Sequence, residues 1–467
     1  MADVSMLIDG ALVDGERDID VVNPALAEPF ATAPVPSDAQ LDQAVAAAKA
    51  AYPAWAATSV AEREAALHAC GDILEANADM LARILTQEQG KPLVNALREV
   101  NGSAATFRRA SGKALADRTS EDADGRRIVQ RRRPLGVVVT IVAWNFPLSM
   151  MVGKIAAALV AGNTVVAKPA PTTPLTTLRA AMLIAEALPK GVLNVVGDDG
   201  TVGPKLTSHP DVRRISFTGS TATGRKVMAN AADTLKRLTL ELGGNDAALV
   251  LDDCNPKEVA GGLFTGAFGN SGQICVAIKR AYVPDALYDD VCDELATLCE
   301  GAIVGDGLEQ GTQFGPLQNK AQFDRVRGLI DDAAQHGTIM GDSGTLPEHG
   351  YFIRPQIVRD ISDGTRLVDE EQFGPVLPVI RYEDPEDALA RANASPYGLG
   401  GSVWSTNPER ARSFAERMES GSVWINRHPD LAHHIPFAGA NQSGFGVEYA
   451  DEGLEEFTQI QVITARV

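Results

Sequence analysis

The stretch GVVVTIVA, residues 136–143, followed by TVVAK at 164–168, decides the fold. Both runs are rich in valine, and Gly162-Asn163 marks a turn before the second. Between them Gly153 to Val160 reads as a helix, and beyond them Leu175 to Leu188 reads as another. Val192 to Val196, Ile215 to Thr218 and Ala247 to Leu251 are further strand candidates. Short apolar strands that alternate with helices predict an α/β fold with a parallel sheet covered by helices. Ligands of such sheets bind outside the carboxyl ends of the strands.

Working outward, the apolar residues from Ser59 to Gln89 recur at helical spacing, and Gly90-Lys91-Pro92 should end that stretch. Leu41 to Ala51 is also helical in type. A second alternating run begins near residue 257. Its strand candidates are Arg280 to Val283, Leu377 to Tyr382, Gly401 to Trp404 and Ser422 to Asn426, with helices at Ala321 to His336 and Pro408 to Met418. This predicts a second α/β domain, with Gly243-Gly244 as the hinge into it. Ser120 to Pro134 is polar and carries Arg131-Arg132-Arg133, while Glu455 to Val467 alternates like a strand.

The chain has 467 residues, too many for one core, so two or three domains are expected. Hydrophobic residues make up 45% and charged residues 22%, as in a globular protein. A net charge of -19 argues against nucleic acid or an anionic membrane as partner. The most apolar region, Ile155 to Val166, is too short to span a bilayer. Five scattered cysteines without metal-ligand spacing argue against a disulfide framework and for a cytoplasmic location. His433 and His434 are adjacent and lack an evident third ligand, so no metal site is expected.

Three motifs carry chemistry. Cys275 ends Gly272-Gln273-Ile274-Cys275, Glu241 opens Glu241-Leu242-Gly243-Gly244-Asn245, and Asn145 lies in Ala143-Trp144-Asn145-Phe146-Pro147. A thiolate attacks carbonyl carbon, a carboxylate can activate water, and an amide N–H can hold an oxyanion. Each residue also has a plainer reading: a buried apolar cysteine, a surface carboxylate at a strand end, an asparagine that satisfies backbone. Together, in this order, they resemble the active site of the aldehyde dehydrogenase superfamily, and the likeness covers essentially the whole chain.

The resemblance implies NAD(P)-dependent, hydrolytic, non-acylating oxidation of an aldehyde. Cys275 forms the thiohemiacetal and then the thioester, Asn145 holds the oxyanion, and Glu241 activates the releasing water. It implies a Rossmann-like nucleotide-binding domain at 1–117 and 136–242 and a catalytic domain at 243–446. A small β element at 118–135 and 447–467 would bridge subunits of a homodimer or homotetramer. For the cofactor it points to Val142, Trp144, Lys168, Pro171, Gly203, Phe217, Gly219, Ser220, Leu242, Glu371 and Phe373. Gly219-Ser220 opens a helix whose backbone N–H groups suit a pyrophosphate. Lys168 matches an adenosine-ribose lysine, and Glu371 a nicotinamide-ribose carboxylate with Phe373 beside the ring.

Two departures from the family pattern stand out. Many NAD-preferring members carry Glu three residues after the lysine, where this chain has Pro171, so NAD versus NADP stays open. Asn245 replaces a usual lysine. On the substrate side, Phe146, Met150 and Phe437 match tunnel walls. Gly153 stands where some members place a bulky aromatic residue, which implies tolerance of bulky or aromatic aldehydes. The loop Arg427 to Ile435 would border the entrance, and Glu452 would match a secondary proton-relay carboxylate. Two rivals are an acylating, CoA-dependent semialdehyde dehydrogenase, against which Glu241 counts, and a non-enzymatic scaffold protein of the same fold.

Overall fold

The computed structural model describes residues 4–466. The ends of the expected terminal spans, Met1 to Asp3 and Val467, lie outside the described residues. The β-branched runs become the centre of an eight-stranded sheet. Val137–Ile141 pairs in parallel with Thr164–Lys168 on one side and Val212–Thr218 on the other. Leu193–Val195 and Arg237–Glu241 extend the parallel part. Every residue of Val137–Ile141 and Thr164–Lys168 is buried, as a sheet covered on both faces requires. Two short N-terminal strands, Met6–Ile8 and Ala11–Val13, close one edge of this sheet. At the other edge Gly444–Phe445 pairs antiparallel with Leu240 and Glu241.

The helical stretch from Ser59 is two helices rather than one, Val60–Ala76 and Ala78–Gln89, divided at Asn77. Ser59 caps the first in a reciprocal capping box with Glu62. Gly90 ends the second in the left-handed conformation, φ 96°. The helix expected from Gly153 begins earlier, at Pro147, because proline suits the first turn.

A second, seven-stranded sheet is built around Asp246–Val250, Ile278–Pro284 and Val376–Tyr382. The second alternating run therefore starts at Asp246 and not near 257. The strand at Ala247 to Leu251, read with the first series, pairs here with Gly400–Trp404. Local pattern gives a strand but not its sheet, and the Gly243-Gly244 crossover falls just before it.

Arg118–Glu121, Arg126–Pro134 and Thr458–Arg466 form a separate three-stranded antiparallel sheet. The arginine run lies on its central strand. Arg132 pairs with Glu455, and Arg131 with Asp117 at 3.1 Å. On the edge strand Ile460 and Val462 on one face and Ile463 on the other remain 57%, 54% and 46% exposed, without cover in the single chain. No helix among the described residues is long and apolar enough to cross a membrane.

Candidate active site

Cys275 sits where the helix Pro256–Phe268 gives way to a tight turn. Asn270, Ser271 and Gly272 are successively left-handed, at φ 51°, 56° and 74°. Two non-glycine residues in that region cost energy, so side chains must hold the turn. Ser271 Oγ donates to Gly315 O at 2.8 Å, and Gln273 Nε2 donates to Asn270 O at 3.0 Å. Gly272 is obligatory, since a Cβ there would lie 2.2 Å from Gly374 O. The thiol keeps partial access to a cleft. Burial pushes it up to about 12, an effect that the Lys279 charge opposes and Glu371, Asp246 and Glu241 reinforce.

Asn145 is brought to this turn by a buried ion pair that sequence reasoning missed. Lys91 Nζ lies 2.5 Å from Glu99 Oε2 and donates to Asn145 O at 2.9 Å. Glu99 Oε1 accepts from Leu148 N and Ser149 N, at 3.1 and 3.2 Å, at the start of the next helix. The Asn145 amide Nδ2 then donates to Gln273 O at 2.9 Å, two residues before the thiol. Its second amide proton is free for an oxyanion.

Glu241 ends its strand buried, 3% exposed, and neither carboxylate oxygen has a hydrogen-bond partner. Burial raises its carboxyl well above the usual range, and the nearby Glu448 adds to this while Lys154 offsets it. Lys154 donates to Ser216 Oγ at 3.1 Å and pairs with Glu448. The carboxylate beside Glu241 is Glu448, whereas Glu452 is exposed on the wall of the outer cavity. Glu448 is placed by a two-residue bridge with Phe437, for which the sequence has no periodic signal.

The cleft beside Cys275 encloses about 630 Å³. Of the eleven expected cofactor residues, Trp144, Gly219, Ser220, Leu242, Glu371 and Phe373 line it, with Asn145 and Gly243. Phe373, itself at φ 50°, meets Trp144 edge to face with ring centroids 5.3 Å apart. Ser220 caps the helix Thr221–Ala231 by accepting from Thr223 N at 3.2 Å, so the first turn faces the cleft. A Cβ on Gly219 would stand 2.5 Å from the Phe217 ring, and one on Gly243 would stand 2.3 Å from Glu371 Oε2. A cradle shaped this closely by absent side chains fits a dinucleotide.

The other expected cofactor residues do not line that cleft. Phe217 lies beneath Gly219, Val142 is buried, and Pro171 is half-buried. Lys168 faces Gly203 and is engaged by a carboxylate not foreseen, Asp198, at 2.5 Å. Asp198 Oδ1 in turn accepts from Gly200 N and Val202 N at 2.7 and 3.0 Å.

A second cavity of about 510 Å³ is lined by Gly153, Lys154, Glu448 and Tyr449, with His433 and His434. Of the four expected tunnel residues only Gly153 lines it. Phe437 packs with Val276 and Leu399, beside Cys275 and Tyr449. Met150 packs against the first core, and Phe146 lies under Lys91 Nζ, 4.0 Å from its ring centroid.

The model of the aldehyde dehydrogenase family matches residues 12–463. A phenylacetaldehyde dehydrogenase of Pseudomonas fluorescens is 40% identical, over 97% of this chain and 94% of its own. The NAD+ complex of an aldehyde dehydrogenase from Bacillus cereus superposes with a TM-score of 0.96 at 34% identity, covering 99% of this chain and 96% of that one. An NADP-dependent enzyme of E. coli superposes at 0.95 with 34% identity, covering 99% and 98%. The chain therefore belongs to the aldehyde dehydrogenase family, as an NAD(P)-dependent oxidoreductase that acts on the aldehyde group.

Proposed function

We propose that Cys275, Asn145 and Glu241 carry this oxidation, with water as the final acceptor. The observation that supports it is a buried, unpartnered Glu241 carboxylate on one side of a thiol whose turn is bonded to Asn145 on the other. The Cys275 thiolate forms a bond to the carbonyl carbon, and the carbonyl π electrons move to oxygen. Asn145 donates its free N–H to that oxygen. A bound nicotinamide supplies the hydride acceptor. Trp144, Gly219, Ser220, Leu242, Glu371 and Phe373 would hold the cofactor against the thiol. Cys275 then retains the acyl group, and Glu241 takes a proton from the water that attacks it. The carboxylic acid leaves and the thiol is regenerated. Glu241 is held protonated at low pH, so release of the acyl group should quicken as pH rises through its elevated pKa.

Bulky or aromatic aldehydes are the substrate class this site suits. A Cβ on Gly153 would meet only Tyr449 Cε1, at 4.0 Å, so the wall stands open there. The uncovered strand Thr458–Arg466 favours a homodimer or homotetramer, with residues 118–135 and 447–467 as the bridging element. Five free cysteines fit a cytoplasmic setting.

The test is a pair of variants followed through a single turnover. Cys275→Ala should abolish reduction of the cofactor. Glu241→Gln should keep the first-turnover burst but slow steady-state release about 100-fold or more and flatten its pH dependence. Undiminished oxidation by Cys275→Ala would overturn the scheme, and acyl-CoA formation would replace water as the acceptor.

A further inference from the structure

Lys279 is a buried cation with partners on two sides. It follows the cysteine turn, at the start of the strand Ile278–Pro284, with its side chain 1% exposed. Its ammonium donates to Ile274 O at 2.9 Å and to Cys275 O at 2.6 Å. The Glu371 Oε1 carboxylate oxygen lies 3.5 Å away and also accepts from Gly244 N at 3.1 Å. The ammonium thus meets the carbonyls of Ile274 and Cys275, with Ala277 O at 3.5 Å, and one carboxylate of the cleft wall. The Phe373 ring centroid is 6.0 Å from Nζ. An isolated buried ammonium would be costly, and this one is matched from both sides.

We propose that Lys279 is a positioning residue that ties the nucleophile's turn to the cofactor-facing carboxylate. It holds Cys275 and Glu371 in register and supplies the local positive charge that a buried thiolate needs. The proposal rests on the reading of Cys275 as nucleophile and Glu371 as cofactor contact.

Glu371, Asp246 and Glu241 face the thiol as anions when ionised, and all three oppose thiolate formation. Tyr449 also faces it, with a hydroxyl that burial keeps protonated. His428, which faces Lys279 from the other side, is pushed down to about 3 by burial and carries no charge near neutrality. Lys279 favours the thiolate against these carboxylates. Asn245 cannot take its place, since its Nδ2 donates to Val368 O at 2.8 Å.

The experiment uses the full chain without aldehyde. Iodoacetamide labelling of Cys275 is followed by peptide mass across pH for the parent protein and Lys279→Met, and NAD+ binding is read from tryptophan fluorescence. The labelling midpoint should rise in Lys279→Met, each unit of rise cutting neutral-pH labelling about tenfold, and NAD+ should bind more weakly. An unchanged midpoint in folded Lys279→Met overturns the proposal. Lys279→Gln is read in the same way if Lys279→Met does not fold, and an unchanged midpoint in it overturns the proposal. Labelling is read without turnover, so its result stands apart from whether Cys275→Ala stops oxidation.

Discussion

The cleft beside Cys275 and the outer cavity beside Glu448 are built on opposite terms. Around the cofactor cleft the glycines have no spare room: a Cβ on Gly219, Gly224 or Gly243 would come within 2.5 Å of a neighbouring side chain. Around the outer cavity Gly153 has its nearest neighbour at 4.0 Å. A close-packed wall resists added volume, whereas an open one accepts it. The cleft beside Cys275 is thus closed in by side chains packed against its glycines, and the outer cavity leaves its glycine open.

The largest effect should come from Gly243→Ala. The added methyl presses on Glu371 and should weaken NAD+ binding by about 1–3 kcal/mol, roughly five- to 150-fold. Equilibrium NAD+ titration measures this, and an affinity equal to the parent's would erase the contrast between the two walls. Gly153→Phe should do less to the cofactor and more to the substrate. Catalytic efficiency with aromatic aldehydes should fall about tenfold or more, while short aliphatic ones stay within about threefold. Loss on both classes alike would mean that Gly153 shapes the fold and not the tunnel.

The smallest effect concerns cofactor choice. The Lys168 charge is already met by buried Asp198, which leaves less attraction for a 2′-phosphate. Asp198→Asn should move the ratio of NADP to NAD efficiency upward by roughly fivefold, about 1 kcal/mol. Parallel kinetics with the two cofactors measure it, and a ratio that falls or does not move removes Asp198 from the account.

What could be read from the chain follows the range of the forces involved. Val137–Ile141 and Thr164–Lys168 were legible because burial on both faces leaves an apolar run. Cys275, Glu241 and Asn145 were legible as motifs, each within a few residues of glycine or proline. Met6–Ile8 and Ala11–Val13 are three residues each, too short to show a period. Lys91, Glu99, Asp198, Lys279 and Glu448 were silent for another reason. Each acts through a partner remote in sequence or through a backbone carbonyl, and an isolated lysine or glutamate in a sequence reads as surface. Glu452 and Glu448 differ by a single helical turn in number, yet only the bridge to Phe437 decides which one faces Lys154.

The edge strand at Gly444–Phe445 has a temporal meaning. Leu242 N donates to Ser443 O at 3.0 Å, and Ser443 Oγ donates to Gly243 O at 2.7 Å, across 200 positions of sequence. Gly398 N completes the knot by donating to the same hydroxyl at 3.0 Å. The strand that bears Glu241 therefore gains its outer neighbour only when nearly the whole chain has been made, and contacts so distant in sequence form late. The seat of the Glu241 carboxylate is therefore completed by a segment made 200 positions later than the strand that bears it.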